Sequence, residues 1–243
     1  MKINTDGLII KRSQVGENDR LVTVLTRDIG VIRAFAHGAS KVKSKSASST
    51  DVLCYSSFTV SESKGTYSIS EVSPIEVFFE LRRDIEKLSL AQYFCEVVMN
   101  LAVEGEDSSE QLRLILNCLY LLSKGLRPDN YIKSVFELRM MSVCGYMPDL
   151  SACCRCGKED ISKPKFDVNE AVVFCDGCGE GIQITSGVLA AMRHICQCKL
   201  DRLFSFELSE QSQKVLSRIT EKYVITHCDR SFTSLDFYKK LPR

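Results

Sequence analysis

Two CxxC pairs, Cys153 with Cys156 and Cys175 with Cys178, stand eighteen residues apart. No other stretch constrains the fold as strongly. A CxxC knuckle turns two thiolates toward one point while nearby backbone N–H groups reach the sulfurs. Two knuckles complete the tetrahedral soft-ligand set that zinc prefers. Gly157, Gly177 and Gly179 fall where the knuckles need tight or left-handed turns. With all four positions filled by protein, no site is left open for water, so one structural zinc ion is the expectation. "SACCRCGKED" also holds Cys154, which would pair with Cys156 as CxC; symmetry with the second knuckle favours Cys153. Free cysteines in a loop, or a redox pair, are the other readings of the same residues.

Twelve cysteines would suggest disulfides in a secreted chain. The opening "MKINTDGLII" is polar within four residues and lacks the long apolar core of a secretory signal, so a cytoplasmic protein is expected. Cys54, Cys95, Cys118, Cys144, Cys196, Cys198 and Cys228 mostly fall in apolar stretches and read as buried thiols. "CQC" at Cys196 and Cys198 is an alternative second knuckle. The longest apolar run, "LRLILNCLYLLSKG", is interrupted by Asn117 and too short to span a bilayer, so no membrane partner is expected.

Hydrophobic residues make up 44% of the chain and charged residues 26%, enough apolar mass for one large domain or two small ones. Residues 1–80 read as β-rich. "DGLIIKRSQ", "RLVTVLTR", "GVIRAFAHG", "DVLCYSSFTV" and "TYSISEVSPIEVFF" are short runs of β-branched and aromatic residues separated by turn signals. Five short strands with one long loop fit a small closed barrel, either an OB-fold or an SH3-like barrel. From about residue 81 the period becomes helical, with Ile85, Leu88, Ala91, Cys95, Val98 and Ala102 in register. Ser108 and Gln111 suit a capping box for a second helix ending at Gly125, and a third spans about Asp129 to Cys144. "TSGVLAAMRHIC" and "LSEQSQKVLSRITEKYVI" predict two more. The expected fold is α+β: a barrel over 1–80, then an all-α domain over 81–243 carrying the four-cysteine module at about 150–182.

Net charge is only +1, but its distribution is uneven. Residues 29 to 50 contain no Asp or Glu and carry Arg33, Lys41, Lys43 and Lys45, with His37 beside them. Lys11, Arg12 and Arg20 lie close in sequence. Each cation can neutralise a phosphate, giving salt-sensitive affinity without sequence reading. The alternative is a solvated linker whose charge only keeps it soluble. A barrel that holds single strands also needs stacking aromatics, and Phe35, Tyr55, Phe58 and Tyr67 are available unless the core takes them. Enzyme signatures are missing. There is no GxxxxGK[ST] phosphate loop and no HxE beside a CxxC, and "GCGEG" does not match a dinucleotide fingerprint. His37, His194 and His227 suggest no triad. Neither catalysis nor a small-molecule substrate is expected.

"GENDRLVTVLTRDIGVIRAFAHGASKVKSK" and "FELRMMSVCGYMPDLSACCRCG" together resemble the RecO family of bacterial recombination mediators, and the likeness covers nearly the whole chain. The resemblance implies an N-terminal OB-fold, a helical C-terminal domain and a non-enzymatic role in recombinational DNA repair. It implies binding to single- and double-stranded DNA, strand annealing, and RecA loading with RecR and the C-terminal tail of single-stranded DNA-binding protein (SSB), near the nucleoid. Cys153, Cys156, Cys175 and Cys178 match the family's zinc positions, which some members lack. Arg33, Lys41, Lys43 and Lys45 fall in its basic barrel region, whereas His37 and Ser40 stand where more basic character is expected. In "GENDR", Asn18 and Asp19 suit a turn, and Glu17 and Asp19 would repel phosphate. Arg127 and Arg139 are candidate partners for a tail carboxylate. The rival functions are a zinc-containing redox switch and a protein-binding adaptor that does not touch DNA.

Overall fold

The computed structural model describes residues 2–41, 46–63 and 65–242. Lys43 and Lys45 therefore lie outside the described residues. Five strands form the first architecture: β1 (Lys2–Val15), β2 (Asp19–Thr26), β3 (Val31–Ala36), β4 (Cys54–Ser63) and β5 (Thr66–Val77). They close in the order β1-β2-β3-β5-β4, with β4 returning antiparallel to β1 and β3 meeting β5 in parallel. This is an OB-type barrel, which separates the two barrels the sequence left open. Alternation does the sorting. Ile9, Val22, Val24, Ile32, Ala34, Phe58 and Val60 turn inward as one cluster, while Lys11 and Arg33 stay outside. Phe58 is thereby core rather than a stacking platform.

The chain divides into two compact units, residues 1–124 with 232–243, and residues 125–231. The change from strands to helices near residue 80 and this division are different boundaries. The first unit holds the barrel, α1 (Ile85–Leu101), α2 (Ser109–Lys124) and α6 (Thr233–Lys240). The Asp84 carboxylate caps α1 by accepting from the Glu86 and Lys87 N–H groups. Ile85, placed on the apolar stripe by spacing, is exposed; Tyr93, Phe94, Val97 and Val98 carry the burial. Helix α6 escapes sequence reading because it is short and half polar. Phe232, at its start, sets its ring edge-on to Tyr93 at 5.4 Å, and the Ser234 hydroxyl donates to Glu96 at 2.9 Å.

The link between α1 and α2 is stitched to the barrel. The Gly105 N–H donates to Ile29 O at 3.0 Å and the Ser108 N–H to Arg27 O at 2.9 Å. Next to Ile29 sits Gly30 at φ +66, where an added Cβ would fall 1.8 Å from Val103 O. Both the left-handed backbone and the contact exclude a side chain. Gly30→Ala is expected to destabilise the first unit by about 3 kcal/mol or more. Thermal unfolding checks this; a loss under about 1 kcal/mol would mean the α1–α2 link yields.

The second unit contains α3 (Asp129–Val143), α4 (Ser186–Gln197) and α5 (Glu210–Cys228), with a small sheet between α3 and α4. That sheet comprises β6 (Asp149–Cys153), β7 (Lys165–Asp167), β8 (Val172–Phe174) and β9 (Ile182–Gln183), in the order β6-β8-β7-β9. Residues 131–141 of α3 are buried without interruption, which makes it the central helix of this unit. Among the described residues, no helix is long and apolar enough to cross a membrane.

Candidate nucleic-acid surface and metal centre

The outer barrel face gathers part of the basic set. Lys11 on β1 pairs with Thr23 on β2, and Thr23 pairs with Arg33 on β3. Cross-strand partners share a face, so Lys11 and Arg33 flank Thr23 in one row spanning about 10 Å. Both are exposed, while their neighbours Val22, Val24, Ile32 and Ala34 fill the core. Lys41 is exposed beyond the turn that follows β3, its N–H donating to Gly38 O at 3.2 Å. Phe35 is half-buried and stacks on His37 with centroids 6.0 Å apart. These two rings are the stacking surface nearest the basic row in sequence.

The remaining cations are engaged. Arg12 donates to Asp51 Oδ1 at 2.6 Å, and Arg82 donates to Asp51 Oδ2 at 3.0 Å. Two guanidiniums thus share one carboxylate on the surface, leaving a local excess of positive charge. Sequence reasoning missed Arg82. The signal was the Arg82-Arg83 pair, five residues beyond the end of the last barrel strand. Arg20 is half-buried and turns toward the segment after β3. Its Nε donates to Ser40 Oγ at 3.3 Å, and one terminal nitrogen donates to Ala47 O at 2.6 Å and Thr50 Oγ1 at 3.1 Å. Burial, then the nearby Arg12 charge, holds its guanidinium below the usual range. His37 faces Asp19 at 2.9 Å. The Asp19 carboxyl is held below the usual carboxylate range, first by the Gly38 N–H and then by His37.

The four-cysteine site assembles from the ends of two short strands. Cys153 closes β6 and Cys175 follows β8; Cys156 and Cys178 lie on the turns beyond each. The four sulfurs lie within 4.8 Å of one another, with Cys156–Cys175 at 3.5 Å and Cys175–Cys178 at 3.1 Å. Tetrahedral thiolates on a zinc ion stand about 3.8 Å apart, given Zn–S bonds of about 2.3 Å. The donor set therefore fits one such ion. The turns carry the expected glycines: Gly157 at φ +72, its N–H donating to Cys153 O at 2.9 Å, and Gly177 at φ +82. A Cβ on Gly179 would meet the Phe174 ring at 2.6 Å, so that glycine serves packing rather than backbone conformation.

Burial pushes the Cys153 thiol up, but N–H groups of Cys156, Cys175 and Arg155 aimed at its sulfur outweigh this and bring it down to about 6. Cys175 is pushed up to about 12, first by its contact with the Cys178 thiol and then by Cys156. Crowded thiols cannot all ionise unaided, and a dication resolves that repulsion. Cys154 is exposed and stands apart from the group; its N–H donates to Val173 O at 2.9 Å, spending the residue on strand pairing. Cys196 is buried and accepts from Ser142 Oγ at 3.3 Å. Neither it nor Cys198 joins a cluster of potential ligands among the described residues.

The two candidate tail-binding arginines part company. Arg139 is buried and donates to Ile195 O and Cys196 O at 3.2 and 2.6 Å, tying the end of α4 to α3. Arg127 is half-buried, its guanidinium 5.5 Å from the Tyr131 ring centroid. It borders a cavity of about 360 Å³ walled by Tyr131, Phe206 and Leu208.

Comparison with known proteins agrees across the whole chain. A family model described as Recombination protein O N terminal matches residues 1–78, and one described as Recombination protein O C terminal matches residues 82–236. DNA repair protein RecO of Acetivibrio thermocellus is 34% identical over 99% of this chain and 98% of its own length. The proteins of that name from Alkaliphilus metalliredigens and Caldicellulosiruptor bescii are 26% and 28% identical, over 99% and 98% of this chain and 100% and 98% of their own lengths.

Proposed function

The chain belongs to the RecO family of DNA repair proteins, and from that premise we propose that it binds single- and double-stranded DNA through its barrel and anneals complementary strands. The observation that carries this reading is the Lys11–Thr23–Arg33 row, a pair of exposed cations on three adjacent strands with no acid between them. Lys41 is a further exposed cation after β3, and Lys43 and Lys45 continue the same charge in sequence. The role is physical rather than covalent. Two strands approaching one another repel; cations that hold each by its phosphates lower that repulsion without reading bases. Phe35 and His37 add a stacking surface for unpaired bases.

The helical unit serves recruitment. Docking the acidic tail of SSB there raises the local concentration of the annealer on coated strands. Arg127, half-exposed beside an aromatic cavity, is one cation this unit offers; Glu207 stands 4.0 Å from its guanidinium and Glu210 also lines the cavity, so a docking carboxylate would displace Glu207. With RecR as partner, the outcome is RecA loading onto strands formerly coated by SSB. The four thiols hold one structural zinc ion, and the protein works in the cytoplasm, where the nucleoid lies.

Replacing Lys11, Arg33 and Lys41 together with alanine tests the surface. Each lost contact to a single strand is expected to flatten the dependence of log affinity on log salt by about 0.7. Oligothymidylate binding from low to moderate salt measures it. An unchanged slope removes this row from the interface, and a wild-type chain that binds no DNA favours the protein-binding adaptor.

A further inference from the structure

We propose that the turn between β1 and β2 positions the basic segment after β3, so that Asp19 and Arg20 are positioning residues and Arg20 is not a phosphate contact. This rests on the reading of the barrel as a DNA-binding surface. Besides the ladder pairing of Asp19 with Val15 and of Arg20 with Gln14 and Ala36, each of residues 18–20 directs a polar group at that segment. Asn18 O accepts from the Ser40 N–H at 2.9 Å. Asp19 Oδ1 accepts from the Gly38 N–H at 2.8 Å, and Asp19 Oδ2 meets His37 Nδ1 at 2.9 Å. Arg20 spans both limbs, reaching Ser40 on the outgoing limb and Ala47 and Thr50 on the returning one. Gln14 closes the set by accepting from Ser40 Oγ at 2.8 Å.

These bonds hold residues 38–41 and 46–50, whose side chains are mostly small and polar. Such residues bring little apolar surface to bury, so the ordering entropy of these two limbs needs an external clamp. A forked guanidinium suits the task because its donors are rigidly arranged and can hold two limbs at once; a lysine ammonium on its flexible stem cannot reproduce that geometry. The arrangement also explains a carboxylate on a surface meant for phosphates. Asp19 costs attraction to DNA but spends its charge on Gly38 and His37, and so fixes where Lys41 stands.

The sign of two substitutions separates positioning from contact. Asp19→Ala removes a negative charge, so electrostatics alone makes oligothymidylate bind more tightly. Positioning makes it bind more weakly, by about tenfold, the scale of one or two charge-assisted hydrogen bonds. Arg20→Lys keeps the charge and loses the fork, so positioning requires it to be nearly as weak as Arg20→Gln. Hydrogen exchange at the Gly38 and Ser40 amides is expected to accelerate by a similar factor in all three variants. Ser40→Ala, a milder lesion, should show a smaller loss of the same kind, and thermal melting confirms that each variant is folded. Tighter or unchanged binding by Asp19→Ala, or wild-type binding by Arg20→Lys, overturns the proposal. So does unchanged amide exchange, even if the wild-type chain binds no DNA; in that case the functional reading fails separately.

Discussion

Cys153→Ser is expected to remove the metal ion from the chain, and Cys154→Ser to retain it. Elemental analysis of the purified proteins should give close to one ion per chain for the wild type and Cys154→Ser, and close to none for Cys153→Ser. The physical reason is the geometry of the sulfurs. Cys153 is buried, receives backbone N–H groups and belongs to the group of four within 4.8 Å, whereas Cys154 is exposed outside it. Structural zinc in small domains contributes on the order of 10 kcal/mol to folding. An ion held by the four thiols would close a sheet whose strands have five, three, three and two residues, too short to persist unaided. The loss should nevertheless stay local. Phe166 of β7 packs against Tyr223 of α5 at 5.9 Å, and His227 of α5 bonds Val168 O at 2.8 Å, but α3 and α5 bury their own contacts without the sheet. Hydrogen exchange should rise over residues 149–183 and change little in α3 and α5. A Cys153→Ser protein with full metal content, or a Cys154→Ser protein without metal, would falsify the ligand assignment.

Much of this was legible in the sequence. β3 and β4 announced themselves because buried and less buried residues alternate along them, which writes a period of two into the chain, whereas β1 buries a run of four and β5 buries none fully. The four-cysteine cluster was legible because CxxC spacing is itself the geometry of a knuckle. What stayed hidden depends on long-range pairing. Nothing local says that Arg20 reaches across to Ala47 and Thr50, or that Asp51 collects both Arg12 and Arg82. Cations counted as one patch therefore separate into exposed ones, Lys11, Arg33 and Lys41, and engaged ones, Arg12 and Arg20. The strands of the cysteine module are too short for any period to register. Helix α6 was missed because its apolar contribution is little more than Leu235 and Tyr238. In α3, burial on every side removes the amphipathic contrast that would have marked its charged residues as unusual.

Those charged residues give the second large effect. Lys133 and Glu137, one turn apart on α3, are 2% and 0% exposed at their side chains, and Lys133 Nζ lies 3.0 Å from Glu137 Oε1. From α5, Glu221 approaches Nζ at 2.9 Å, and the Thr220 hydroxyl donates to Glu137 Oε2 at 2.7 Å. The two helices thus share one buried polar knot. Lys133 keeps Glu221 if Glu137 is removed, but removing Lys133 leaves the Glu137 carboxylate buried without its ammonium, and such a break costs about 3–5 kcal/mol, whereas an intact buried pair contributes little against an apolar replacement. Lys133→Met should therefore destabilise the second unit by about that amount. Lys133→Met combined with Glu137→Leu should recover part of the loss, since the stranded carboxylate is gone. The chain has no tryptophan, so denaturant unfolding followed by circular dichroism is the suitable measurement. A single substitution costing under about 1 kcal/mol, or a double variant worse than the single by a further 3, would show that the knot is not what couples α3 to α5. The barrel's basic row lies on the other unit, so the same variants should leave the salt dependence of DNA binding intact.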